Sequence, residues 1–230
     1  MPDATVPTGP TPRTALGRNR ERGSYERADV DAILDAALVC HVATQVDAGT
    51  VALPMAFARA GDEVFIHGSP AAGMLRALRG GAPACLTATI VDGLVLSRSG
   101  FHHSLNYRCA VLFGVFTEVV SPAAKLAATN AIVDHAVPGR SAECRAATDR
   151  ELRATLVLSL RIHEASAKVR TGGPNEEPED LATPYWGGHL PLALQASGPP
   201  VPDTAHAPTC EVPTSVRSWA GPAPVPMPSP

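Results

Sequence analysis

The chain has 230 residues and a mass of 23.8 kDa, enough for one well-filled core and short of two full domains. Hydrophobic residues make up 45% and charged residues 18%, with a mean hydropathy of +0.04, so most of the chain should fold in water, and no run of about 20 apolar residues offers a membrane span. A net charge of −3 and a pI near 6.2 exclude a broad basic surface for nucleic acid, while a few local arginines still suffice for a small anion.

Residues 1–19 lack periodicity and read as a flexible lead-in. Val30, Ile33, Leu34 and Ala37 then mark one face of a helix, which Ser24 or Asp29 is placed to cap. Leu38–Val46 reads as a strand, Asp47–Gly49 as a turn, and Thr50–Ala58 as a second strand, with Pro54 assigning it to a sheet edge or a bulge. Glu63–His67 is a short strand. Gly68-Ser69-Pro70 opens a helix over about residues 71–78, and Gly80-Gly81 ends it. Pro83–Val91 and Leu94–Ser99 flank Asp92-Gly93, a dipeptide that favours a tight hairpin turn. Tyr107–Val120 is a long β-type run with a possible bend at Gly114. Ser121-Pro122 starts a helix reaching about Ala136, a short helix covers Asp149–Arg153, and Thr155–Lys168 is the last strand. The fold class expected is mainly β with flanking helices, an antiparallel sheet closed into a barrel. From Ser197 onward ten of the 23 prolines crowd together, so residues 20–196 read as the domain and 197–230 as a disordered or polyproline extension.

Five cysteines, at 40, 85, 109, 144 and 210, form no Cys-x-x-Cys pair, which excludes zinc-ribbon and thioredoxin-like spacings. The first residues carry no apolar stretch of a secretory signal, so the cytoplasm is the expected compartment. Only two lysines stand against many arginines and alanines, a bias of genome composition, so arginine abundance alone carries no functional signal.

Four segments can carry chemistry. In Phe65–Leu78 the start of a helix beside Gly68 and Ser69 offers free backbone amides to a phosphate, or is an ordinary strand-to-helix connection. Leu96–Arg108 brings Arg98, His102, His103, Tyr107 and Arg108 between two strands. An arginine fork suits phosphate and Tyr107 or Phe101 can stack on a ring, while the plain alternative is a solvated loop. Adjacent strand residues point to opposite faces, which disfavours a metal shared by the histidine doublet and a Cys40–His41 nucleophile pair alike. His67 stands at a strand end where a ligand can approach. Lys168–Pro174 and the later Tyr185–His189 supply Arg170 and Trp186, either as a strap packed on the barrel or as a clamp over a flat ligand.

In this order the segments resemble the pyridoxamine 5′-phosphate oxidase-related, FMN-binding split-barrel proteins, and among them the flavin-nucleotide-binding branch with the nitroimidazole-reductase-like proteins. The resemblance is carried by Tyr25-Glu26-Arg27, Cys40-His41-Val42, Phe65–Ser69 with Met74–Leu78, Asp92–Ser99, Phe101–Arg108 and Ser166–Pro174, and it spans roughly residues 13–195. It implies a six-stranded antiparallel split β-barrel, a homodimer, and FMN in the groove between subunits. It also implies phosphate donors at Gly68 and Ser69 with help from Arg98 and Arg108, and a histidine near flavin and substrate at His67. Arg170 and Trp186 are then expected at the ring edge. One departure stands out: where the family commonly places a Ser-Arg or Arg-Lys pair on the phosphate, this chain has Ala72-Gly73. Loss of one charge-assisted hydrogen bond costs about 1.5–3 kcal/mol, or roughly ten- to hundredfold in affinity.

The function expected is an FMN-dependent oxidoreductase acting on a small organic molecule by hydride transfer. His67 and Tyr107 are its catalytic candidates, Gly68, Ser69, Arg98, Arg108, Arg170 and Trp186 its cofactor-binding candidates, and no metal, nucleic acid or membrane is called for. The alternative is a non-catalytic split barrel with a degenerate phosphate site that binds flavin, or haem through His67, His102 or His103.

Overall fold

Alternating apolar positions build two antiparallel sheets that share one core. The computed structural model describes residues 9–203, 211–219 and 221. In chain order the elements are β1 (Gly23–Ser24), α1 (Arg27–Ala36), β2 (Cys40–Val46), β3 (Gly49–Met55), β4 (Phe57–Ala60), β5 (Glu63–Gly68), α2 (Gly73–Arg79), β6 (Pro83–Leu96) and β7 (Ser104–Val115). There follow β8 (Thr117–Glu118), α3 (Pro122–Ala136), α4 (Asp149–Ala154), β9 (Leu156–Arg161), β10 (Glu164–Arg170), α5 (Pro178–Leu181), β11 (Gly188–Pro191) and α6 (Thr214–Arg217). The larger sheet runs β1-β10-β7-β6-β2-β3, with β11 also paired to β6, and the smaller runs β4-β5-β9-β8. The fold is therefore mainly β with flanking helices, as expected.

The strand bookkeeping differs from the sequence reading because barrel strands change sheets at corners. The run Thr50–Ala58 breaks at Ala56, Tyr107–Val120 breaks at Phe116, and Thr155–Lys168 breaks at Ile162–His163. At each break the chain passes between the seven-stranded and the four-stranded sheet. Phe57, Phe116 and Ile162 are buried at these corners, so local β character is continuous while the sheet partner changes. Gly114 does not make the bend; a side chain there would meet Leu160 Cδ1 at 2.7 Å, so it provides room where β7 passes β9.

The expected hairpin at Asp92-Gly93 does not form. Residues 83–96 run on as one strand, and the register against β7 shifts between Val91 and Gly93. This is a β-bulge, and it has two uses. The extra residue, Asp92, reaches Arg108 on β7. Gly93 lets β11 pass close: a Cβ there would stand 2.9 Å from the carbonyl oxygen of Leu190. Pro54 lies on β3 at the sheet edge, where its missing N–H costs no ladder bond.

The core joins Val30, Ile33 and Leu34 of α1 to Val42, Leu86, Leu112, Ile66 and Leu158 from both sheets. β9 is buried on both faces from Leu156 to Leu160, because α3 packs outside the smaller sheet. Ser121 caps α3 by accepting from the Ala124 amide, with Pro122 in the first turn, as expected. Neither Ser24 nor Asp29 caps α1, which begins after Glu26 with no side-chain cap. Of the proline-rich region, residues 204–210, 220 and 222–230, and with them Cys210, lie outside the described residues, as do residues 1–8 of the lead-in. Within the described part, Trp219 Nε1 donates to the carbonyl of Ala136 at 2.9 Å and Ser215 bonds Glu143. In the lead-in, Arg13 pairs with Glu164 and lies 5.1 Å over the Phe113 ring.

Candidate functional site

The candidate residues fall into two groups. The first stands where β5 gives way to α2. Val64 and Ile66 turn into the core, which leaves His67 on the outward side. Its imidazole is exposed in the single chain, yet desolvation by its surroundings holds its pKa below the usual histidine value, so it is neutral at neutral pH. Gly68 lets α2 approach: a Cβ there would lie 2.6 Å from Leu75 Cδ1. Ser69 does not cap the helix. Its hydroxyl accepts from the Ala71 amide at 3.2 Å and its carbonyl from the Ala72 amide at 3.0 Å, which makes a tight turn. Helix α2 then begins at Gly73 with no capping side chain. Ala71, Ala72 and Gly73 are exposed, nothing lies within 4 Å of a Cβ built on Gly73, and Arg76 is exposed one turn along. The result is an open shelf of small residues at a helix start, where the first-turn amides have no partner within the helix.

The second group gathers at one end of the larger sheet. Arg108 is 8% exposed and makes a paired contact to Asp92, Nε to Oδ2 at 2.9 Å and Nη2 to Oδ1 at 2.7 Å. Arg98 donates from its backbone amide at 3.1 Å and from Nη1 at 3.2 Å to one oxygen of Glu176. Arg170 is 4% exposed, pairs with Tyr107 across the β7–β10 ladder, and donates to Asn106 Oδ1 at 2.5 Å and to the Gly173 carbonyl at 3.0 Å. Burial lowers its pKa, with the nearby Arg22 adding to the effect. Trp186 is 66% exposed, and its indole lies where a side chain on Gly188 would be. Gly187 likewise leaves space for Arg98 and Glu176, so the Gly187-Gly188 pair lets the strap after β10 close on the sheet.

Thus Arg98, Tyr107, Arg108, Arg170 and Trp186 come together, while His67, Gly68 and Ser69 stand on the other sheet. Among the described residues no hydrogen bond or ion pair joins the two groups. Three residues that sequence reasoning did not single out complete the second group: Asp92, Asn106 and Glu176. Asp92 carried a signal, the Asp-Gly dipeptide, that pointed to a turn instead. His102 lies edge-on to Phe101 at 5.2 Å and His103 Nδ1 is 3.2 Å from the Ser99 carbonyl. Among the described residues no group of three or more His, Cys, Asp or Glu is placed to hold a metal ion, and no helix is long and apolar enough to cross a membrane.

The outward face of the larger sheet runs away from the second group along β6 and β7. Direct ladder partners share a face, so Leu190, Leu94 and Leu105 form one row across β11, β6 and β7. Beyond the bulge the same face continues through Val91, Thr89 and Thr87 on β6 and Tyr107, Cys109 and Val111 on β7. None of these residues is an acid, a lysine, an arginine or a histidine, and each is at least partly exposed.

A family profile described as pyridoxamine 5′-phosphate oxidase matches residues 26–169. The chain is similar to the structure of an FAD- and haem-binding protein from Mycobacterium smegmatis, with 41% identity over 87% of this chain and 98% of that one and a TM-score of 0.81. It is also similar to the flavocytochrome Anf3 from Azotobacter vinelandii, with 36% identity over 93% and 99% and a TM-score of 0.85. A nitroimidazole antibiotic resistance protein (so described as putative) from Bacteroides thetaiotaomicron shares the fold at 20% identity over 64% and 86%, with a TM-score of 0.55. No curated protein gives a significant match. The profile covers more than half of the chain and two structures agree with it over nearly its whole length: the chain belongs to the pyridoxamine 5′-phosphate oxidase-like family of flavin-binding split-barrel proteins.

Proposed function

We propose that this protein is a flavin-dependent oxidoreductase that works as a cytoplasmic homodimer, with the flavin in the seam between subunits and a small organic molecule as substrate. The observation that carries the reading is the full-length agreement with two proteins described as an FAD- and haem-binding protein and a flavocytochrome. That agreement favours FAD over FMN as the form of flavin. When bound, the flavin takes up or gives out a hydride or electrons.

The donor set fits such a group. A strip of β6 and β7 carrying Tyr107, Thr87 and Thr89, with Arg170 and Lys168 beside it on β10, suits a flat aromatic ring, and the open shelf from Ser69 to Gly73 with Arg76 suits phosphate oxygens. Among the described residues no hydrogen bond or ion pair joins the two groups of candidates within one chain, and a second copy would bring them to one ligand. In that arrangement Gly68 and Ser69 hold phosphate and neutral His67 accepts or donates a proton near the ring. Tyr107, Arg170 and Trp186 line the edge contributed by the larger sheet. Arg98 and Arg108 are engaged with Glu176 and Asp92, so their role is to hold the strap and the bulge in place.

A second reading has specific support. The two similar structures described above, at 41% and 36% identity, are described with haem or as a flavocytochrome, which supports haem as a second prosthetic group and electron transfer as the activity. A neutral imidazole is the form that binds iron, and exposed His67 is in that form; His102 and His103 are the other candidates.

The absorbance spectrum of the purified protein before and after dithionite tests both readings. Flavin bands that bleach on reduction support the first, and an added Soret band that sharpens supports the second. A colourless protein whose spectrum is also unmoved by added FAD, FMN and haem would reject both.

A further inference from the structure

Arg170 is a buried cation at one end of the larger sheet. It is 4% exposed, and among the described residues no carboxylate pairs with it. Its neighbours are neutral or cationic: the Asn106 amide oxygen at 2.5 Å, the carbonyls of Gly172 at 3.5 Å and Gly173 at 3.0 Å, and Arg22, whose charge acts on it. Its Nε has no partner, and neither has Nη1 of Arg108, which stands two residues beyond Asn106 on the same face of β7. The neighbouring carboxylates face other arginines, Asp92 facing Arg108 and Glu176 facing Arg98, although Glu176 Oε2 is itself buried without a hydrogen-bond partner. A buried guanidinium is normally matched by a full negative charge, and carbonyl dipoles supply only part of one.

What covers Arg170 is thin. Thr171, Gly172 and Gly173 are exposed, Gly172 has φ +89°, and a side chain on Gly173 would meet nothing within 4 Å. Near Arg170 this strap is held by its own two contacts and by Asn106 Nδ2, which donates to the Gly172 carbonyl at 3.0 Å.

We infer that the strap after β10 covers a binding site for the anionic oxygens of a small molecule, a phosphate or a carboxylate. Arg170 supplies the charge, Asn106 Nδ2 and Arg108 Nη1 are auxiliary donors, and the Gly172 and Gly173 carbonyls stand where the anion's oxygens go. This site shares Arg170 with the ring edge of the flavin reading, but its anion donors are separate from the phosphate shelf of that reading. It lies on β7 and β10, whereas the shelf proposed for the flavin phosphate begins α2, which packs on β2 and β8.

The test follows the melting temperature of the purified full-length protein in rising inorganic phosphate and, separately, rising acetate, at constant ionic strength made up with chloride. A ligand of the native state raises the melting temperature in a saturable way. A rise with phosphate or with acetate identifies the anion, and Arg170→Gln should weaken it by about tenfold or more. Asn106→Asp places a carboxylate against Arg170 inside the chain and should abolish the response even where Arg170→Gln folds poorly. No saturable rise with either anion, or an undiminished rise in Asn106→Asp, would overturn the inference.

Discussion

Replacing Asp92 by alanine tests what the β-bulge is for. The Asp92 and Arg108 side chains are 17% and 10% exposed, so the pair is largely out of water, and Arg108 Nη1 already lacks a partner. Without Asp92 the guanidinium stays buried with no anion at all. Removing one member of a buried pair costs about 3–5 kcal/mol. For a chain of this length each kcal/mol moves the melting temperature by about 2–4 °C, so Asp92→Ala should lower it by roughly 6–20 °C. Arg108→Met should also destabilise. The double variant should recover much of the loss, because neither charge is then stranded. Thermal melts followed by circular dichroism, run on all four proteins, give the coupling directly. A drop of less than about 2 °C in Asp92→Ala, or strict additivity in the double variant, would refute the reasoning.

Gly93→Ala pushes a methyl group to 2.9 Å from the Leu190 carbonyl, so β11 should loosen from β6 at a cost of about 1–3 kcal/mol. Faster hydrogen exchange over residues 188–191 is the readout, and unchanged exchange would show that the strand adapts. His67 has a depressed pKa in the folded state, so the unfolded chain binds its proton first as pH falls. Stability should therefore decline as pH drops below about 6.5, and His67→Gln should flatten that decline; parallel pH–stability curves would count against it. Burial raises the Cys40 thiol to about 12, whereas Cys144 is exposed, so iodoacetamide at mildly alkaline pH should modify Cys144 and spare Cys40 until the protein is unfolded. Site-resolved mass spectrometry reads this, and early labelling of Cys40 would contradict it. Trp219→Ala removes the indole bond to the Ala136 carbonyl and should cost about 0.5–1.5 kcal/mol; no change in melting temperature would show that this contact holds nothing.

Much of the architecture was legible because alternation and helix periodicity are local. Helix α3 was readable from Ser121-Pro122 alone, and strand β5 from its short alternating run. What was not legible depended on partners far away in sequence. Asp92-Gly93 has the local chemistry of a hairpin turn, and only Arg108 sixteen residues later and Leu190 on the strap make it a bulge. The corners at Ala56, Phe116 and Ile162 are invisible to periodicity, since apolar side chains continue through them while the sheet changes. Within the candidate site, Arg108 and Arg98 were recognisable as cations. Their occupation by Asp92 and Glu176 was not, because an acid's partner is set by the fold rather than by spacing. Gly68-Ser69-Pro70 reads as the opening of a helix from about residue 71, but the turn Ser69 makes with Ala71 and Ala72 delays the start to Gly73.

The central claim is that two copies of this chain hold a flavin through the Ser69–Gly73 shelf of one and the Tyr107–Arg170 edge of the other. Titration of the cofactor-stripped protein with FAD, followed by flavin fluorescence and by light scattering, tests it most directly. The account predicts saturation at one flavin per chain by a dimer, with binding weakened by Gly68→Val and separately by Tyr107→Ala. Stoichiometric binding to a monomer, or free flavin fluorescence unchanged at every protein concentration, would contradict it.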